Sequence, residues 1–165
     1  MKKIALASVA ALIATPAFAA PGDTASADGE ASATIVAPIT LTSDANLDFG
    51  AIVADKDVAG TVVIAPGSDT ATYNNVENVG TSSVTRAQFT VGGETGQSGL
   101  TYTATANDLT SNGNTMGLTL DISAAPTSIS GTASDTFFVG GTLSVAANQP
   151  AGDYTGSYTL TANYQ

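Results

Sequence analysis

Apolar residues recur at every second position along most of this chain, and no helical period persists. That alternation reads as half-buried β-strands, which suits a composition rich in Thr and Val. Nine strands are expected. The first, ATIVAPITLT, places Ile35, Ala37, Ile39 and Leu41 on one face. Pro38 in its middle marks an edge strand or a switch in pairing, because Pro cannot donate to a ladder. LDFGAIV sets Leu47, Phe49, Ala51 and Val53 in phase, and TVVIA sets Val62 and Ile64 together. TATYNNVENV is a weaker stretch. VTRAQFTV turns Ala87, Phe89 and Val91 inward and Arg86 outward. LTYTATA carries Leu100, Tyr102, Ala104 and Ala106, and TMGLTLDIS carries Met116, Leu118, Leu120 and Ile122. DTFFVGGTLSVA carries Phe137, Val139, Gly141, Leu143 and Val145. The last strand runs to the end of the chain, with Tyr154, Gly156, Tyr158, Leu160, Ala162 and Tyr164 on one face.

Turn chemistry separates these runs. Asn112-Gly113 is a strong hairpin pair, Gly92-Gly93 with Gly96 and Gly99 loosens the stretch after Val91, and Gln149-Pro150-Ala151-Gly152 sets Pro and Gly where a turn wants them. Short strands with turns between them predict an all-β two-sheet sandwich over residues 34–165.

The start of the chain has a different pattern. Lys2 and Lys3 precede an apolar run from Ile4 to Ala14, too short to span a bilayer, and Ala17-Phe18-Ala19 has the small-x-small form of a cleavage site. Residues 1–19 are therefore expected to be a signal peptide, with Ala20 as the new N-terminus. The mature protein is expected to be exported. Residues 20–33 are small, polar and acidic, which is the composition of an extension without a core of its own. They still alternate: Ala25, Ala27, Gly29, Ala31 and Ala33 share one face and run in phase into Ile35.

Charge narrows the partners. After cleavage only Lys56 and Arg86 remain against 14 acidic residues. Nucleic acid and anionic membrane need a cationic surface, so neither is an expected partner, and no further apolar stretch is long enough for membrane insertion. The chain has no Cys and no His, so its stability must come from packing and backbone hydrogen bonds rather than disulfides. The same absence leaves its many Ser and Thr hydroxyls without an imidazole to activate them. Lys56 lies between Asp55 and Asp57, a setting for an ion pair rather than a base. A carboxylate-only glycosidase needs just two acids, but such sites hold sugar rings on aromatics and the chain has no Trp. Asp44-x-Asn46-x-Asp48 resembles the start of a calcium loop, yet Phe49 stands in the sixth place and Asp55 in the twelfth, where Gly and Glu are required. No catalytic residue, metal or cofactor is expected. The Tyr residues of the last strand have two readings, as core aromatics with hydroxyls at the rim or as a stripe read by another protein's strand.

FFVGGTLSVAANQPAGDYTGSYTLTANY resembles the closing segment of a group of exported Gram-negative β-proteins of unassigned function, and ATIVAPITLT followed by LDFGAIV resembles the opening of their mature domain. That group in turn resembles the spore-coat-U-like and archaic chaperone–usher pilins. The resemblance implies an incomplete immunoglobulin-like domain whose missing strand is supplied first by a periplasmic chaperone and then by the N-terminal extension of the next subunit. Tyr164 and the terminal strand containing Gly156 match the pilin pattern. The missing cysteine pair of many classical pilins points to the archaic-like branch or a non-pilus relative. On this reading Ala25, Ala27, Gly29, Ala31 and Ala33 are the pegs of a donor strand. Tyr154, Gly156, Tyr158, Leu160, Ala162 and Tyr164 form the wall of the groove that accepts it. Each ladder bond contributes about 0.5–1.5 kcal/mol, and ordering each backbone residue costs about 1–2 kcal/mol, so groove filling must decide. Alanine methyls add only about 0.8 kcal/mol per buried carbon. The expected function is a pilus- or fimbria-like structural subunit that forms a homopolymer, with a chaperone and an outer-membrane usher as partners and a role in adhesion or biofilm. The alternative is a self-complete monomeric periplasmic or surface sandwich that binds a ligand through its loops.

Overall fold

The computed structural model describes residues 22, 24, 26–80, 82–130 and 133–165. Ala17, Ala19 and Ala20 of the expected cleavage site, with the rest of residues 1–19, lie outside the described residues, as does Ala25. The chain divides into Met1–Thr34 and Ile35–Gln165. Within the first unit, residues 26–34 are exposed and join no ladder, Ala27, Gly29, Ala31 and Ala33 among them.

The second unit is all-β, with no helix among the described residues. Its strands are β1 (Thr40–Ala45), β2 (Ile52–Ala54), β3 (Gly60–Ile64), β4 (Ala71–Asn74), β5 (Val76–Asn78), β6 (Ala87–Gly92), β7 (Leu100–Ala106), β8 (Leu109–Ser111), β9 (Asn114–Asp121), β10 (Ser134–Val145) and β11 (Tyr158–Tyr164). All ladders are antiparallel and curl into a half-barrel. The largest sheet runs β1-β6-β10-β3-β4, with β9 also on β10 and β8 on β9. β11 pairs with β7, and β2 with β5.

β10 organises the unit. Its first half, Ser134 to Val139, pairs with β6, while Gly140 to Ser144 pair with β9 and Gly141 to Val145 with β3. Its inward residues therefore feed two apolar clusters. Leu143 and Val145 pack with Phe49, Val62, Ile64, Val76 and Met116. Phe137 and Val139 pack with Ala87, Phe89, Val91, Leu100 and Ile129. Val62, Ile64, Val91 and Val139 are completely buried, and each such side chain contributes about 1.5–3 kcal/mol relative to exposure.

Several strands differ from the sequence pattern for local reasons. The phase set by Leu47 and Phe49 does not continue to Ala51 and Val53, which are exposed. Gly50 adopts φ +70°, a left-handed step that turns Ile52 and Ala54 inward instead. The Asp48 carboxylate accepts the Gly50 N–H at 2.8 Å and Ser82 Oγ accepts the Ala51 N–H at 2.9 Å, which holds the step in place. Asp44 accepts a hydrogen bond from Thr90 Oγ1 at 2.7 Å. TATYNNVENV is split into β4 and β5 by Asn75, which has φ +51°. β8 escaped the pattern because it has only three residues, and it exists through the Asn112-Gly113 hairpin, where both residues have positive φ. The opening strand starts at Thr40 rather than near Ala33; through Pro38 the chain is exposed and unladdered.

Arg86 leaves the inner face but does not reach into solvent. Its side chain is only 14% exposed, and its guanidinium lies 3.7 Å from the Phe138 ring centroid. Nε and Nη2 donate to Asp69 Oδ1 and Oδ2 at 2.8 and 3.2 Å, and Nη1 donates to the Pro66 carbonyl at 2.6 Å. The Arg86 hydrogen bonds hold the Asp69 carboxyl below its ordinary value of 3.8. This pair therefore supports the fold at neutral pH and weakens as acid protonates Asp69.

Candidate strand-accepting groove

β1 and β11 come close to one another without pairing. Among the described residues each has a single ladder partner, β6 for β1 and β7 for β11. Each therefore offers one edge of unpaired N–H and C=O groups, the feature by which a further strand is recruited.

The side chains of these two strands lean on the second cluster. Ile39 and Leu41 approach it from the β1 side, and Tyr158, Leu160 and Tyr164 from β11. All five are half-buried, whereas the residues beneath them are sealed. The cluster has an aromatic core: Phe89 stacks on Phe137 at 6.0 Å, Tyr102 meets Phe137 edge-on at 5.2 Å, and Tyr158 meets Phe89 edge-on at 6.3 Å. The opposite face of the β7–β11 pair is polar. Thr105, Thr103 and Thr101 stand across from Thr159, Thr161 and Asn163, so the pair has one apolar and one wet side.

One end of the groove is closed by Tyr164. Its hydroxyl donates to the Ala37 carbonyl at 3.4 Å. A side chain at Gly93 would collide with that hydroxyl at 2.5 Å and with Ile129 at 2.6 Å. Gly93 is thus a fitted seat for the Tyr164 ring rather than a point of looseness. Gln165 N–H, bonded to the Gly99 carbonyl at 2.9 Å, holds the same corner.

Two hydroxyls in this cluster, Tyr102 Oη and Tyr158 Oη, are buried without a hydrogen-bond partner among the described residues. Burial, with the nearby Asp135 charge, pushes the Tyr102 phenol up to about 12. Burial also raises the Tyr158 phenol, with a smaller opposing pull from the Leu47 backbone. That backbone does not reach hydrogen-bonding geometry with the phenol. A raised folded-state value means that the unfolded chain ionises first. The stability held below pH 10 should therefore be lost as pH rises towards 12. Tyr102→Phe is expected to flatten that alkaline loss. At neutral pH it should also stabilise the isolated chain by about 1 kcal/mol, because an unsatisfied buried hydroxyl is removed. Denaturant midpoints at neutral and alkaline pH check both. A lower midpoint for Tyr102→Phe at neutral pH would show that the hydroxyl has a partner.

The wall predicted from the terminal strand divides in the structure. Tyr158, Leu160, Ala162 and Tyr164 lie together on the half-buried face of β11. Tyr154 and Gly156 lie before the strand begins. Tyr154 packs on the first cluster, its hydroxyl donating to the Pro150 carbonyl at 2.8 Å and accepting from Gln149 Nε2 at 2.9 Å. Gly156 is exposed beside the Asp108 carbonyl. The alternating residues Ala27, Gly29, Ala31 and Ala33 are exposed and unpaired to any strand. Sequence reasoning missed Ile39 and Leu41 as the facing wall and Tyr102 as part of its floor. All three sit in phase on their strands, but only the β1–β6 and β7–β11 ladders place them around one cluster.

Elsewhere an open depression of about 470 Å³ crosses the β3–β10–β9 surface around Gly60, Thr61, Ser144 and Gly117. Its lining holds no charged or aromatic side chain. Among the described residues no cluster of acids is arranged to hold a metal ion.

Residues 39–164 match a family model described as a domain of unknown function, DUF4402. Neither curated proteins nor solved structures give a match to the chain.

Proposed function

From the premise that the chain belongs to the DUF4402 family, which it matches from Ile39 to Tyr164, we propose that it is an exported structural subunit that polymerises by strand complementation. Its half-barrel is read as an immunoglobulin-like sandwich lacking one strand. The place of that strand is along the free edge of β1 or β11, which approach one another too closely for a strand between them. An incoming segment would add ladder bonds to that edge and side chains to the half-buried stripe of Ile39, Leu41, Tyr158 and Leu160. The observation that supports this best is the coincidence of two free edges with an incompletely covered apolar cluster.

On this reading residues 1–19 direct export, and the occupant is the small, alternating N-terminal extension of another copy. A periplasmic chaperone guards the groove before assembly and an outer-membrane usher exchanges it, giving a pilus- or fimbria-like filament on the cell surface that serves adhesion. No enzymatic role is proposed, since a chain without His or Cys has few ways to activate its hydroxyls.

The test is surface material sheared from producing cells, run unboiled and boiled on a denaturing gel and imaged by electron microscopy. A heat-labile ladder with thin filaments is expected. A single monomer band without filaments would overturn the reading and favour the self-complete monomer.

A further inference from the structure

We propose that Ile35 is the anchor of the donor segment and seats in the β1–β11 groove of a second copy. This rests on the strand-complementation reading above and assigns the residue that secures it. Ile35 is 94% exposed, far more than any other large apolar side chain described; the next, Val53, is 53% exposed. A solvated isoleucine outside any strand is an apolar group without a site in its own chain.

Its position fits the groove. Ile35 follows Ala27, Gly29, Ala31 and Ala33 in a period of two, so an extended segment presents all five on one face. Four of the five carry at most a methyl group. Ile35 alone brings a branched side chain able to cover the half-buried Leu41, Tyr158 and Leu160 of an acceptor.

The chain around Ile35 keeps it out of its own groove. Ala37 is tethered to Tyr164 at the rim by the 3.4 Å hydrogen bond. Pro38 lacks an N–H and biases Ala37 towards an extended backbone, so the donor segment is set off from β1 rather than continuing it. Two residues beyond the tether, Ile35 stands in solvent. The occupant is a second copy of this chain.

The chain contains no cysteine, which allows a direct test with the full-length protein exported from cells. One population carries Ile35→Cys and the other Leu160→Cys, expressed together and oxidised. A disulfide-linked pair of unlike chains is expected, with Thr34→Cys, on the opposite face of the segment, giving at least tenfold less. In parallel, Ile35→Asp should reduce the heat-labile ladder at least tenfold and Ile35→Val should retain it. Because Ile35 makes no buried contact, these substitutions leave the subunit's own fold intact. An intact ladder from Ile35→Asp, without cross-links from Ile35→Cys, would overturn the anchor while leaving strand complementation standing. In a third population whose chains carry both Ile35→Cys and Leu160→Cys, a disulfide formed only within single chains would also overturn it, because the segment would then close its own groove. Absence of a ladder from the unaltered chain would overturn the underlying reading as well.

Discussion

Gly140→Ala should yield little or no folded protein, with a stability loss above about 3 kcal/mol. Gly140 is buried where β10 passes from its β6 ladder to its β3 and β9 ladders. A Cβ there would land on the Ile64 carbonyl oxygen and lie 2.9 Å from both the nitrogen and the Cδ of Pro66. These are main-chain and ring atoms, which cannot rotate aside. Relief requires β3 to shift, and β3 carries the fully buried Val62 and Ile64. Overpacking of flexible side chains costs about 1–3 kcal/mol, and a rigid obstacle costs more. Against a typical total of about 5–15 kcal/mol for a domain, that is a large fraction. Soluble yield and the denaturant midpoint measure the effect. Gly117→Ala is the control, since its nearest neighbour would be 3.6 Å away, an ordinary contact. A native-like midpoint for Gly140→Ala would mean that β3 and β10 can separate there without loss.

Phe137→Ala should destabilise the chain by about 3–5 kcal/mol, the usual cost of deleting a buried aromatic. Phe137 is 4% exposed and holds Phe89 on one side and Tyr102 on the other. Its loss opens a cavity beneath β7 and β11, so the groove should fail together with the core. The adjacent Phe138 lies on the other face, half-buried under Arg86. Phe138→Ala gives up a stacked cation and part of an apolar surface, and a loss of about 1–2 kcal/mol is expected. Denaturant midpoints of the two variants check the order. Equal losses would contradict the separation of an inner and an outer face along β10.

Much of this architecture is legible in the sequence. The runs around Val62 and Ala87 alternate without interruption, that around Phe137 does so except at the buried Gly140, and each of their inward residues is buried, because a strand with one face on a core must repeat every two residues. The strands that deviated are those with a backbone break inside the pattern. Gly50 and Asn75 take positive φ, and each is one of many Gly and Asn residues whose type permits that conformation without requiring it. The alternation places Arg86 facing away from the core, as it is. Its enclosure by Phe138, Asp69 and Pro66 depends on partners up to 52 positions away in sequence.

The site was less legible than the strands. Tyr158, Leu160, Ala162 and Tyr164 were visible as one wall, but Tyr154 shares their alternation and belongs to the other cluster. Alternation assigns a residue to a face of its own strand and carries no information about which sheet that face meets. The sequence alone thus determined that this is an all-β chain with a particular set of inward side chains, since period and turn chemistry are local properties. Only the tertiary structure decided that β1 and β11 stand side by side unpaired, that one apolar cluster lies half-covered between them, and that Ile35 remains in solvent. Those facts depend on ladders between residues as distant as Leu100 and Tyr164, and no local pattern encodes such pairing.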